Sequence, residues 1–436
     1  MELQREEGPN VKPNRTVVVL GLAMLLATPV LAQEGAPADS ASPTEDVQGK
    51  LEAMNEQLQT LQADTDKLKK FKFSGYVQAR YEAAELSSDT VRVTGSPAVV
   101  TPANLNRFYI RRARLKLTYD SSPLSQGVVY FDGGTDRTIR LLEAYVTLLD
   151  PWTPLHQHGL TVGQMNVPFG YEIERSSSVR ELPERSRVEN VLFSGERDRG
   201  LKIVSQWTPR LETVVGGFNG GGVNHVDFPT VDPTQGKDFT GRVRYSQGRV
   251  DGAVSYYTGR NTVPLAGPDV EHDKTRLGLD AQAYYELASL GGGSLKGEFY
   301  SGKEVNPDSV RTMTVSNIGG RVLKPDVNGG ADPSHFATDF IGWYAMWVQN
   351  LGEKLQFAAR YDTYDPNDAL DLDQYERVSF GVNWFYDGFT RITVAYDAVT
   401  THPSPSGSAR YDAINPAARL DDPKDNLWTV QFQHKF

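Results

Sequence analysis

From Phe71 to the C-terminus, apolar and polar residues alternate with a period of two. In the first run Phe71, Phe73, Val77, Ala79 and Tyr81 fall on one face, and Lys72, Ser74, Tyr76, Gln78, Arg80 and Glu82 on the other. This is the pattern of a strand with one apolar face. Similar runs recur at about 105–120, 124–132, 139–150, 158–166, 199–208, 210–219, 237–247, 249–259, 274–288, 293–303, 338–351, 353–364, 373–386, 388–398 and 425–436, which predicts sixteen strands. The connections alternate in length. Short ones lie near Ser122-Pro123, 151–158, Pro209, Gln247-Gly248, 291–293, 350–352 and Asp387-Gly388, the last with the glycine that a tight hairpin favours. Longer polar ones span 84–104, 167–198, 220–236, 260–273, 304–337 and 399–424. Tight turns at one end and long loops at the other are what an up-and-down outer-membrane barrel shows, and a sandwich or propeller does not impose that division.

The expected fold is therefore all-β: a sixteen-stranded antiparallel transmembrane β-barrel over residues 71–436. An even strand number returns both ends of the barrel to the short-turn, periplasmic side. Sixteen strands leave an aqueous channel, whereas about eight would be filled by side chains.

Upstream the pattern differs. Thr16 to Thr28 form an apolar run behind Lys12 and Arg15, and Val30 and Ala32 supply the short side chains of a cleavage site. Residues 1–32 are thus expected to be a signal peptide cut after Ala32. Residues 33–46, rich in Ala, Pro, Ser and acids, read as a flexible linker. Val47, Leu51, Met54, Leu58, Leu61, Thr65 and Leu68 follow at 4-3-4-3-4-3 spacing, a heptad seam across a short coiled-coil segment at 47–70. A lone helix of this length is marginal in water. Two readings are open: the seam meets partner helices, or the segment is an amphipathic spacer.

Composition narrows the class. Hydrophobic residues make up 39% of the 436, and the mean hydropathy is -0.45, so no segment beyond the N-terminal run can cross a bilayer as a helix. A barrel wall escapes that exclusion because its apolar and polar residues alternate. No cysteine is present, which excludes disulfides, thiolate metal sites and a cysteine nucleophile. The net charge of -10 argues against nucleic acid as a partner, since neutralising phosphates needs a basic face. HExxH, GxxxxGK[ST] and GxSxG are all missing, so neither an enzyme nor a cofactor is expected. His156 and His158, in a predicted turn, and the acidic series Asp362, Asp365, Asp368, Asp371 and Asp373 read as solvated groups rather than metal ligands; the series lacks the Gly and terminal Glu of a calcium loop.

Strand charges carry the functional signal. In RFYIRRARLKLTY (107–119), Ala113, Leu115, Leu117 and Tyr119 form the apolar face, which turns Arg112, Arg114 and Lys116 inward and Arg111 outward. The same phase puts Lys72, Arg80, Lys202, Arg242, Arg244, Arg276, Lys296, Arg360, Arg377 and Arg391 inside. They face fewer inward acids, chiefly Glu82, Glu143, Asp280, Glu286, Glu298 and Asp362. Inward cations either attract anions through the pore or brace the wall by ion pairing. Both readings are open. The long connection after the fifth strand, third on its side after 84–104 and 133–138, carries Pro168, Phe169, Glu174, Arg175, Arg180, Glu184 and Arg185, and its length alone suggests a functional loop.

Four segments resemble one family. GYVQARYE (75–82), RRARLKL (111–117), GQMNVPFGYE (163–172) and ERDRG (196–200) are similar to the phosphate-selective porins O and P. The resemblance implies a homotrimer in the Gram-negative outer membrane, a third loop folded into the lumen as the constriction, and an arginine-lined path for small anionic or polar solutes. It makes Arg111 and Arg112 candidates for that path, in conflict with strand alternation at Arg111. Trp428, Val430, Phe432 and the terminal Phe436 share one face of the last strand, and the aromatic end resembles the signal read by outer-membrane assembly machinery; His434 departs from it. The runner-up function is an envelope tether acting through a periplasmic coiled coil.

Overall fold

The computed structural model describes residues 43–85, 105–134, 138–193, 195–223, 234–263, 270–305, 337–368, 374–401 and 426–436. They divide into two units at the boundary between Lys70 and Phe71. The first contributes helix α1 (Pro43–Lys69). The second contains strands β1 (Phe71–Ala84), β2 (Arg107–Ser122), β3 (Ser125–Asp132), β4 (Arg140–Leu149), β5 (His158–Asn166), β6 (Arg197–Thr208), β7 (Leu211–Phe218) and β8 (Asp238–Gln247). After these come β9 (Val250–Val263), β10 (Val270–Leu287), β11 (Gly291–Val305), β12 (Ala337–Leu351), β13 (Leu355–Asp365), β14 (Tyr375–Phe385), β15 (Thr390–Thr401) and β16 (Leu427–Lys435). A short helix, α2 (Arg187–Leu192), lies between β5 and β6.

Each strand pairs antiparallel with its neighbours in sequence, and β1 pairs with β16, which closes the sixteen-stranded barrel. The seam is tied by reciprocal bonds between Gly75 and Phe436, at 2.9 and 3.0 Å. A side chain at Gly75 would strike the Phe436 ring and the Arg114 carbonyl, so the close strand approach requires glycine there.

Three differences from the sequence reading have a physical reason. Helix α1 begins at Pro43, inside the expected linker, because a proline lacks the amide hydrogen that the first turn leaves unused and has its φ preset. The rest of the linker and the signal peptide lie outside the described residues. The β9–β10 ladder runs on to Val263 and Val270, so the expected connection 260–273 contracts. Its outward pairs are charged, Arg260 with Glu271 at 3.0 Å and with Asp273 at 3.8 Å, and the apolar half of the period-two signal fades while backbone pairing continues. The third difference lies at Arg111. Gln78 pairs with Arg112 but Ala79 pairs with Ile110, leaving Arg111 as the extra residue of a β-bulge. A bulge inserts one residue and shifts the parity, so Arg111 and Arg112 both face the lumen. Simple alternation is wrong at this position.

The two faces of the wall are chemically opposite. Outward residues such as Leu160, Val162, Leu201, Ile203, Val215, Val254, Leu295 and Phe380 stand exposed in every part of the barrel. A contiguous apolar exterior of this kind is unsuited to water. Ring pairs border it at both ends: Phe71 with Tyr119 (4.5 Å) toward the short turns, and Tyr81 with Phe108 (4.7 Å), Tyr396 with Trp428 (4.7 Å) and Trp343 with Tyr361 (5.3 Å) toward the long loops. Such girdles flank the lipid-facing band of membrane barrels. Among the described residues no helix is long and apolar enough to cross a membrane.

Candidate functional site: a basic cavity between the third loop and the barrel wall

The segment between β5 and β6 folds into the barrel. Phe169, Ile173, Val188, Leu192 and Phe193 are buried together with the inward wall residues Met165, Phe218, Tyr257, Tyr300, Phe340 and Tyr364. Phe169 stacks on Tyr300 at 5.7 Å and tilts against Phe193 at 4.9 Å. Gly170 has φ +60, and a side chain there would meet Tyr300 and Glu298, so the glycine of PFGYE lets the chain turn against the wall. A second patch sets Leu182 against Tyr344, Met346, Val348 and Ala358.

Around this apolar contact the wall cations grip the loop, mostly by its carbonyls. Arg360 donates to the Glu184 carbonyl (3.1 Å), the Arg185 carbonyl (3.2 Å) and the Glu172 carboxylate (3.2 Å). Arg377 bonds Asp362 (2.8 Å) and the Arg185 carbonyl (2.6 Å), and Arg391 bonds the Arg180 carbonyl (2.9 Å). Lys296 pairs with Glu181 at 2.5 Å. Arg242 reaches Glu174 and Asp280, both at 3.3 Å, and Thr240 donates to the Pro168 carbonyl at 3.1 Å. Arg276 pairs with Glu304 (2.6 Å) and lies 4.4 Å above the Phe193 ring. Within the loop Arg175 bonds Tyr171 and pairs with Glu181 at 3.4 Å, and Arg185 bonds the carbonyls of Glu172 (2.9 Å), Ile173 (3.2 Å) and Arg175 (2.9 Å). Hydrogen bonds to charged groups contribute about 1.5–3 kcal/mol each, so this side of the lumen is fastened.

The β2–β4 side is open. There the loop and the wall leave a cavity of about 240 Å³, lined by Arg111, Arg112, Arg114, Arg140, Arg185 and Arg197 against Asp132, Glu184 and Glu196. Arg114 bonds Asp132 at 2.8 Å and lies over the Tyr76 and Tyr130 rings at 5.9 and 5.8 Å. Arg197 and Lys116 also approach Tyr130, at 5.9 Å each, and both reach Glu143, at 3.0 and 4.0 Å. Tyr130 thus spaces three cations on its ring faces. Glu184 enters from the loop and accepts from Arg80 (2.7 Å) and Arg111 (2.9 Å), with Arg112 at 3.5 Å. Burial would raise its carboxyl, but Arg80, Arg112 and Arg111 outweigh burial and hold it well below the usual range. Arg180 is buried, and its Nε and Nη2 find no partner among the described residues.

Three predicted cations stand apart from both groups; Lys72, at the start of β1, is exposed and pairs with Asp120 at 2.7 Å. Lys202 lies opposite Thr161 on the inner face, and Arg244 pairs with Asp251 toward the short-turn end. Of the acidic series, Asp362 is committed to Arg360 and Arg377, and Asp371 and Asp373 lie outside the described residues.

Solved structures share this architecture. The channel DcaP of Acinetobacter baumannii is 12% identical with a TM-score of 0.53, over 84% of this chain and 97% of that one. An anion-selective porin from Comamonas acidovorans is 12% identical with a TM-score of 0.52, over 84% and 99%. The trimer form of OmpT from Vibrio cholerae gives the same identity, score and coverage. The chain has the porin fold. No protein-family profile matches the sequence, and no curated protein matches it.

Within this porin fold, sequence reasoning overlooked Asp132 and Arg140 at the cavity and the pairing of Arg197 with Glu143. Asp132 shares the inward parity of Val128 and Tyr130, and Arg197 sits in the ERDRG segment, so both had a signal. Arg140 had none, because a second bulge, opposite Tyr130 and Phe131, interrupts the alternation of β4.

Proposed function

We propose that this chain is a homotrimeric outer-membrane porin of the phosphate-selective O and P type, passing small hydrophilic solutes by passive diffusion with a preference for anions. It acts as a channel rather than an enzyme, and its N-terminal segment lies in the periplasm. One observation carries the reading: the cavity beside the inward third loop is lined by six arginines against three carboxylates. Guanidinium groups match the geometry of phosphate and carboxylate oxygens, and a cationic lining raises the local anion concentration. The apolar, aromatic-bordered exterior supports a lipid setting. The trimeric OmpT and the anion-selective Comamonas porin add likeness of fold.

Incorporation of the purified protein into planar bilayers tests this. Stepwise conductance, with a reversal potential of anionic sign in asymmetric KCl and current reduced by inorganic phosphate, is the expected result. A protein that stays folded and monodisperse in detergent-free buffer and gives no conductance would contradict it.

A second reading rests on α1, where Leu51, Met54, Leu58, Leu61 and Leu68 are all exposed along the seam. Exposed heptad leucines suit helix partners, which fits an envelope tether. Deleting 47–70 separates the readings: a tether loses envelope attachment, and a pore keeps its conductance.

A further inference from the structure

We propose that Glu184 is an internal competitor for the anion path, its carboxylate occupying the cradle in which a passing oxyanion would otherwise be held. The inference rests on the anion-path reading above and names what tunes it.

The cradle consists of three guanidiniums from two adjacent strands around one carboxylate. Glu184 Oε1 accepts from Arg80 and Arg111, and Oε2 faces Arg112. These are the contacts a bound oxyanion would make, because carboxylate and phosphate oxygens satisfy guanidinium groups in the same fork geometry. A carboxylate that merely braces the wall looks different. Asp362 is fully buried between Arg360 and Arg377 and accepts the Arg187 amide at 2.8 Å. The Glu184 side chain, by contrast, is 25% exposed and borders the cavity. Its backbone is fixed independently: the Glu184 carbonyl is held by Arg360, and the neighbouring Pro183 carbonyl accepts from Arg80 at 3.0 Å. The side chain can therefore yield the cradle while the loop stays docked.

Such a competitor serves conduction. A selective pore must bind its ion well enough to admit it and weakly enough to release it. Three guanidiniums with only Glu82, 3.4 Å from Arg80, as a remaining counter-charge would retain a divalent oxyanion, and Glu184 shortens that stay by returning to the cradle.

The test is block of chloride current by inorganic phosphate in planar bilayers, comparing wild type with Glu184→Gln, Glu184→Asp and Glu286→Gln. The last removes the same charge from an inward acid away from the cradle. Glu184→Gln should lower the half-blocking phosphate concentration about tenfold, equivalent to about 1.4 kcal/mol of tighter binding. Glu184→Asp should resemble the wild type, and Glu286→Gln should change block by less than about twofold, near 0.4 kcal/mol. The inference is overturned if Glu184→Gln is blocked no more tightly than Glu286→Gln, or if it gives the large, noisy conductance of a detached loop. Either result in an anion-preferring wild type would leave the porin reading standing. Cation preference in the wild type would remove the anion-path reading and this inference with it.

Discussion

The two sides of the lumen use the same residue type to opposite ends. Along β10–β15, Arg276, Arg360, Arg377 and Arg391 are buried against loop carbonyls and paired carboxylates, and Phe169, Ile173 and Val188 seal the contact. Along β2–β4, Arg111, Arg112 and Arg114 border a cavity in which basic groups outnumber acidic ones. What differs is the partner the third loop presents. On the far side it offers backbone oxygens, apolar side chains and the carboxylates of Glu172, Glu174 and Glu181, and a guanidinium committed to such a partner is no longer available to a passing anion. On the near side it offers the carboxylates of Glu184 and Glu196 to a larger number of arginines, leaving an excess of positive charge facing space. Lumen cations counted from a sequence thus overstate the anion field, because about half of them are fasteners.

Breaking the fastened side should give the largest effect. Arg360→Ala strips Glu172 and Asp362 of a buried partner, which costs about 3–5 kcal/mol. Thermal unfolding in detergent should start at a lower temperature, and bilayer recordings should show higher, noisier conductance as the loop leaves the wall.

A second prediction concerns protons on that side. The Tyr300 hydroxyl bonds both Glu189 and Glu298, and Tyr344 donates to Glu298 at 2.7 Å. A phenol has one proton, so one of the two Tyr300 contacts needs a protonated carboxyl. Burial, with Glu298 and Glu172 nearby, pushes the Glu189 carboxyl well above its ordinary value of 4.5, against Arg185 at 3.6 Å. The folded state therefore binds this proton more tightly than the unfolded chain. Its contribution to loop docking is complete below the ordinary value and is lost as pH rises through the elevated one, with a slope of up to about 1.4 kcal/mol per pH unit. Open-channel noise should grow with pH in the wild type and stay flat in Glu189→Gln, whose amide replaces the protonated acid.

The near side should respond differently. Arg112→Ala leaves Glu184 bound by Arg80 and Arg111, so stability should fall by only about 1.5–3 kcal/mol, with a shift of reversal potential toward cations.

Much of this was legible in the residues. Period-two alternation located the strands and the inward parity of Arg80, Arg242, Arg360, Arg377 and Arg391, because a closed wall between lipid and water enforces that parity at every step. The inward position of Arg111 was not legible from alternation, since a bulge is a local insertion that leaves no mark in the hydrophobic pattern; only the resemblance of RRARLKL to the phosphate-selective porins pointed that way. The division into fasteners and cavity residues was also hidden. It depends on which loop carbonyls reach which guanidinium, and every residue has a carbonyl. The β9–β10 extension escaped because its outward residues are charged.

The reversal potential in asymmetric KCl, measured for wild type, for Arg111→Ala/Arg112→Ala/Arg114→Ala and for Arg377→Gln, tests the two-sided lumen most directly. The wild type should prefer anions, the triple variant should lose that preference, and Arg377→Gln should keep it while its conductance becomes unsteady. Equal loss of selectivity in the triple variant and in Arg377→Gln would contradict the account.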